Sequence, residues 1–167
     1  MTDWTAPISW PTGLDVTEAI LNQQVRDNFL NINERAAVLE ALSNPVRSAV
    51  IEVVPPGTQV DTTVGVRYVV IPPSIDGMNI VNAHAQTIVA GITGATTVQV
   101  RNMTKYPAND SLSSVLSIAS GATIATGGAI DAAKDDVSAG DLFKVYVTGQ
   151  SSTKPYGLIV ILEFQLP

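Results

Sequence analysis

Residues 79–103, NIVNAHAQTIVAGITGATTVQVRNM, decide what kind of protein this is. Over 79–90 the side chains alternate. Val81, Ala83, Ala85 and Thr87 fall on one face of an extended chain, with Ile80, Asn82, His84 and Gln86 on the other. After Gly91 and Gly94 the alternation resumes over 96–103. Val98, Val100 and Asn102 face one way there, and Thr97, Gln99, Arg101 and Met103 the other. Two period-two runs joined by a short glycine-bearing segment read as a β-hairpin.

The same period spreads outward in both directions. Upstream it marks strands at 48–54 and 66–71, the first expected to end at Pro55-Pro56-Gly57 and the second at Pro72-Pro73. Downstream it marks 115–118, a short piece at 122–125, then 141–148 and 156–166. Phe143, Val145 and Val147 oppose Leu142, Lys144, Tyr146 and Thr148, and the last strand is apolar on both faces. Seven or eight short strands with Gly/Pro turns predict an antiparallel β-sandwich. Val137-Ser138-Ala139-Gly140-Asp141 resembles a turn of viral jelly rolls, in which the aspartate caps the turn's amides.

One segment breaks the pattern. Over 17–42 the period becomes helical, with Leu21, Val25, Phe29, Ile32, Ala36 and Leu39 spaced by steps of four and three. Asp15 with Glu18, or Thr17, supplies the N-cap, and Asn44-Pro45 stops the helix. So short an amphipathic helix needs a partner surface. Either its own domain or further copies of itself, in a short coiled coil, can provide one. Before it, residues 1–14 are an irregular arm carrying both tryptophans, Trp4 and Trp10, which need a covering surface. The predicted domains are therefore an arm and helix, 1–46, and a mainly β domain, 47–167.

Composition narrows the function classes. Hydrophobic residues make up 46% and charged residues only 14% of 167, below the ~25% usual for soluble domains. A net charge of −6 argues against nucleic acid and against anionic membrane surfaces. The absence of cysteine excludes disulfides and thiolate metal sites. The longest wholly apolar run, 158–162, is too short to span a bilayer, and MTDWTAPISW does not read as a secretory signal.

Trp10, Gly13, Val16-Thr17, Leu21-Asn22 and Val25-Arg26-Asp27-Asn28 follow the pattern W-x-x-G-x-x-V-T-x-x-x-L-N-x-x-V-R-D-N. The opening thereby resembles that of tailed-bacteriophage virion proteins, namely minor tail, tail-fibre and baseplate-associated chains. Leu14-Asp15 departs from the glutamate frequent there. The resemblance implies that this segment is an attachment element, through Trp4 and Trp10, to other virion proteins. It also implies a homotrimer with Leu21, Val25, Phe29, Ile32, Ala36 and Leu39 at the subunit interface. Ile75-Asp76-Gly77-Met78-Asn79, Ala83-His84-Ala85, Val98-Gln99-Val100-Arg101-Asn102, Asp135-Asp136-Val137, Gly140-Asp141 and the closing Gly157-Leu158-Ile159-Val160 with Leu166-Pro167 resemble small phage and prophage appendage proteins.

Catalytic signatures are missing from the sequence. His84 is the sole histidine, there is no G-x-S-x-G elbow, and the paired glycines lack a phosphate-binding context. Asp131, Asp135, Asp136 and Asp141 read as a solvated acidic loop, or less simply as a calcium loop without EF-hand spacing. No enzyme, cofactor or metal is expected. Two loops offer the aromatic faces and planar polar groups that a saccharide needs: Lys105, Tyr106, Asn109 and Asp110, and then Lys154 and Tyr156. The expectation is a virion structural protein made in the host cytoplasm, a tail-fibre or baseplate appendage touching a host-surface saccharide. A capsid decoration or head-fibre protein and a carbohydrate-binding module are the alternatives.

Overall fold

The computed structural model describes residues 18–167, and its chain divides into two compact units, 1–45 and 46–167. Trp4, Trp10 and the capping residues Asp15 and Thr17 lie outside the described residues, as does the side chain of Leu21. In the first unit the described chain is one helix, α1, Glu18–Ser43. It ends just before Asn44-Pro45, where the proline ring disfavours helical backbone in the residue before it.

The second unit contains eight strands: β1 Arg47–Gln59, β2 Val66–Val70, β3 Asn79–Val89, β4 Thr96–Asn102, β5 Leu116–Ile118, β6 Thr126–Gly127, β7 Leu142–Gly149 and β8 Tyr156–Gln165. They form two antiparallel sheets, ordered β1-β8-β3 and β2-β7-β4-β5-β6. On the open side of β3 the chain just before β6 joins the first sheet. Thr87 N donates to Thr123 O at 2.8 Å and Ala125 N to Ala85 O at 2.9 Å, around a bridge between Gln86 and Ile124. First strand therefore pairs with eighth, second with seventh, third with the approach to the sixth, and fourth with fifth. This is a long hairpin rolled into two facing sheets, the jelly-roll form of the β-sandwich.

Alternation explains the core. Phe143, Val145 and Val147 of β7 and Val98 and Val100 of β4 point inward. They meet Leu158, Val160, Leu162 and Phe164 of β8, so both sheets close over one buried cluster.

Several sequence expectations change. β3 and β4 are not a hairpin: they belong to different sheets, and residues 90–95 cross from one to the other. That crossing is tight, since a Cβ on Gly91 would collide with Ser151 Oγ, and Thr93 sits at φ 63°. β1 does not stop at Pro55-Pro56-Gly57 but continues to Gln59 through two register shifts. As an edge strand it tolerates prolines, whose missing N–H groups cost no ladder bonds on an open side. A bulge between Ile80 and Asn82 puts Ile80 in the core and Val81 outside, reversing their expected faces. The segment expected as strand 122–125 hydrogen-bonds to β3, while β6 itself starts at Thr126.

Candidate functional site

The chain enters the sandwich at Arg47, whose Nη1 donates to Ser74 O. Around that joined end gather residues 71–79, the 103–110 loop and the 131–141 loop. They are tied by Asn79 Nδ2 to Asp135 Oδ2 at 3.3 Å and Tyr106 OH to Asp136 Oδ2 at 3.4 Å. The opposite, free end is built from 60–65, 90–95, 119–122 and 150–155. It is held by Val60 N to Pro155 O, Ile92 N to Thr153 O and Gly121 N to Gly91 O. The two saccharide candidates thus lie at opposite ends. Lys105, Tyr106, Asn109 and Asp110 are at the joined end, and Lys154 and Tyr156 are near the free one.

Most of these candidates are engaged internally. Lys154 Nζ lies 3.0 Å from Asp61 Oδ2. Asp61 also accepts from the Thr63 hydroxyl and from the backbone N–H of Thr63 and Val64. The Thr63 hydroxyl first, then the Val64 N–H and Lys154, hold this carboxyl well below the usual carboxylate range. Gln59 Nε2 donates to Tyr156 OH at 3.0 Å. Partial burial, then the Asp136 charge, raises the Tyr106 phenol above its ordinary value.

Asp110 belongs to a denser group. Arg101 Nε donates to Asp110 Oδ1 at 2.8 Å, Tyr146 OH to the same oxygen at 2.7 Å, and Arg101 Nη2 to Tyr146 OH at 3.0 Å. Lys144 Nζ stands 4.5 Å from the centre of the Tyr146 ring. Its bond to Asp110 raises the Arg101 guanidinium, and burial followed by the Asp110 bond raises Tyr146. The sequence reading singled out Asp110 alone of this group. Arg101 and Tyr146 are 45 residues apart, and no local period connects them.

The acidic loop disperses its charges. Asp131 pairs with Lys134 at 2.6 Å, and that bond lowers its carboxyl below the usual range. Asp141 is buried, accepting from Asn102 Nδ2 at 2.8 Å and Ser138 N at 2.9 Å, so it caps its own turn. Among the described residues no group of three or more metal-ligating side chains converges. His84 lies exposed on the outer face of the three-stranded sheet, its Nε2 2.9 Å from Asn82 Nδ2. Beside it Val50, Ile124, Ile159 and Ile161 line an apolar groove of about 440 Å³.

On α1, Val25, Phe29, Ile32 and Leu39 are 60%, 64%, 52% and 66% exposed in the single chain, and Ala36 is exposed with them. Leu30 and Val38, off the seam, are exposed too, so spacing rather than exposure singles the seam out. Among the described residues no helix is long and apolar enough to cross a membrane. No protein-family model matches the chain, and no curated protein matches it. Among solved structures the chain is similar to one titled "Cyanophage Pam1 capsid asymmetric unit", at 14% identity and a TM-score of 0.42, over 74% of this chain and 85% of that one, a likeness too distant to bear on function.

Proposed function

We propose that this chain is a structural protein of a tailed-phage particle. In this reading it is an appendage that self-associates through α1 as a homotrimer, docks to other virion proteins through the arm bearing Trp4 and Trp10, and turns its sandwich toward a host-surface saccharide. The observation that carries it is the heptad spacing of Val25, Phe29, Ile32 and Leu39, each more than half exposed on a 26-residue helix. A helix of that length is marginal alone, and apolar side chains at heptad spacing are covered when copies bundle. The W-x-x-G-x-x-V-T-x-x-x-L-N-x-x-V-R-D-N opening supports the phage assignment.

Two measurements test the proposal. Sedimentation equilibrium of the full chain at micromolar concentration is expected to give three times the monomer mass of 17.5 kDa. A clean monomer overturns the seam. Gold-labelled antibody on intact particles is expected to decorate the tail. Label confined to the head makes the chain a capsid decoration, and absence of label removes it from the virion altogether.

A further inference from the structure

Outward-facing side chains of the five-stranded sheet form a row that the folding of the sandwich does not account for. Tyr68 of β2 pairs with Lys144 of β7, and Lys144 with Arg101 of β4. Paired residues share a face, and Arg101 in turn holds Asp110. The row reads aromatic, ammonium, guanidinium, carboxylate. Its three strands, ~4.8 Å apart, carry it about 10 Å across the sheet, with Asp110 beside Arg101 at the far end.

Two members have unspent chemistry. Tyr68 is 53% exposed, so a ring face is open to solvent. Lys144 is a cation in a chain of net charge −6, yet no carboxylate among the described residues lies within ion-pair distance of it. Its ammonium rests 4.5 Å from the centre of the Tyr146 ring, which holds the charge in place without claiming its N–H donors for an anion. Next to it the Arg101–Asp110–Tyr146 bonds fix two planar polar groups in position. Asp110 spends only Oδ1 on them.

We propose that Tyr68, Lys144, Arg101 and Asp110 form a binding site for an acidic saccharide. The apolar face of a sugar ring stacks on Tyr68, and its carboxylate or phosphate accepts from Lys144 Nζ. The neighbouring sugar's hydroxyls donate to Asp110 Oδ2 and accept from Arg101. The length of the row matches about two sugar units. The inference rests on the appendage reading for the source of the saccharide, the host envelope.

The test is a glycan array carrying neutral oligosaccharides beside uronate, sialate and phosphate-bearing ones, probed with the full chain. Amide chemical-shift mapping follows with the best acidic glycan. Retention of acidic over neutral glycans is expected, with shifts centred on 68, 101 and 144. Binding should weaken about tenfold in Lys144→Met, which keeps an unbranched side chain of similar size while removing the charge, and by as much in Tyr68→Ala. Selective retention of either the carboxylate or the phosphate class identifies the anion. If no acidic glycan is retained, or if both variants bind like the parent, the site is wrong. If that happens while the chain is still found on particles, the virion reading stands without it.

Discussion

At the scale of single residues, two carboxylates show how differently the same group is used. Asp141 is buried and serves one turn, with Asn102 as its neutral donor. Asn102 Oδ1 in turn accepts from the N–H of Thr104 and Lys105, both at 3.0 Å. Removing that amide strands a buried acceptor, so Asn102→Ala is expected to cost about 1–3 kcal/mol, read from the urea midpoint. Asp61 sits at the free end and gathers its donors in a turn. Because its carboxyl is held below the usual range when folded, its contribution is present above the unfolded value of about 4 and is lost as pH falls below that. Asp61→Asn is therefore expected to lower Tm by a few degrees at neutral pH. The gap to the parent should narrow steadily on acidification below about pH 4, and a gap independent of pH rules out this account.

At the scale of elements, the seam of α1 makes the sharpest demand. Phe29→Asp places a charge where a bundle has no partner for it, so dissociation to monomer is expected with the sandwich's circular dichroism unchanged. The strands explain what a sequence can and cannot disclose. Inner faces such as Phe143, Val145 and Val147 were readable, because each strand carries its own alternation. Partners were not, because the period of β3 and β4 is the same whether residues 90–95 turn back within one sheet or cross to the other. The Ile80/Asn82 bulge was equally hidden, since one unpaired residue leaves no compositional trace. Of the row on the five-stranded sheet, the alternation set Lys144 and Tyr146 opposite Phe143, Val145 and Val147, and Arg101 opposite Val98 and Val100. Only the pairing of β2 with β7 and of β7 with β4 set Tyr68 beside them.

At the scale of the whole molecule, the sandwich and the N-terminal segment answer to different tests. Deleting residues 1–14 is expected to leave the sandwich's melting transition in place while abolishing incorporation into particles, measured by immunoblot of purified virions. Normal incorporation of the truncated chain refutes the arm's role. The rolled-hairpin pairing also has a consequence for how the protein is made. β8 is the middle strand of its sheet, between β1 and β3, and is the last strand in the chain. β1 ends at Gln59 and β8 at Gln165, so at about 5–20 residues per second β1 leaves the ribosome on the order of ten seconds before its ladder partner among the described residues is synthesised. During that interval β1 and β3 expose unpaired backbone to any neighbouring nascent chain on the same messenger. Ribosome-stalled chains should accordingly stay protease-sensitive throughout the sandwich until residue 165 has cleared the exit tunnel, and then become resistant in a single step.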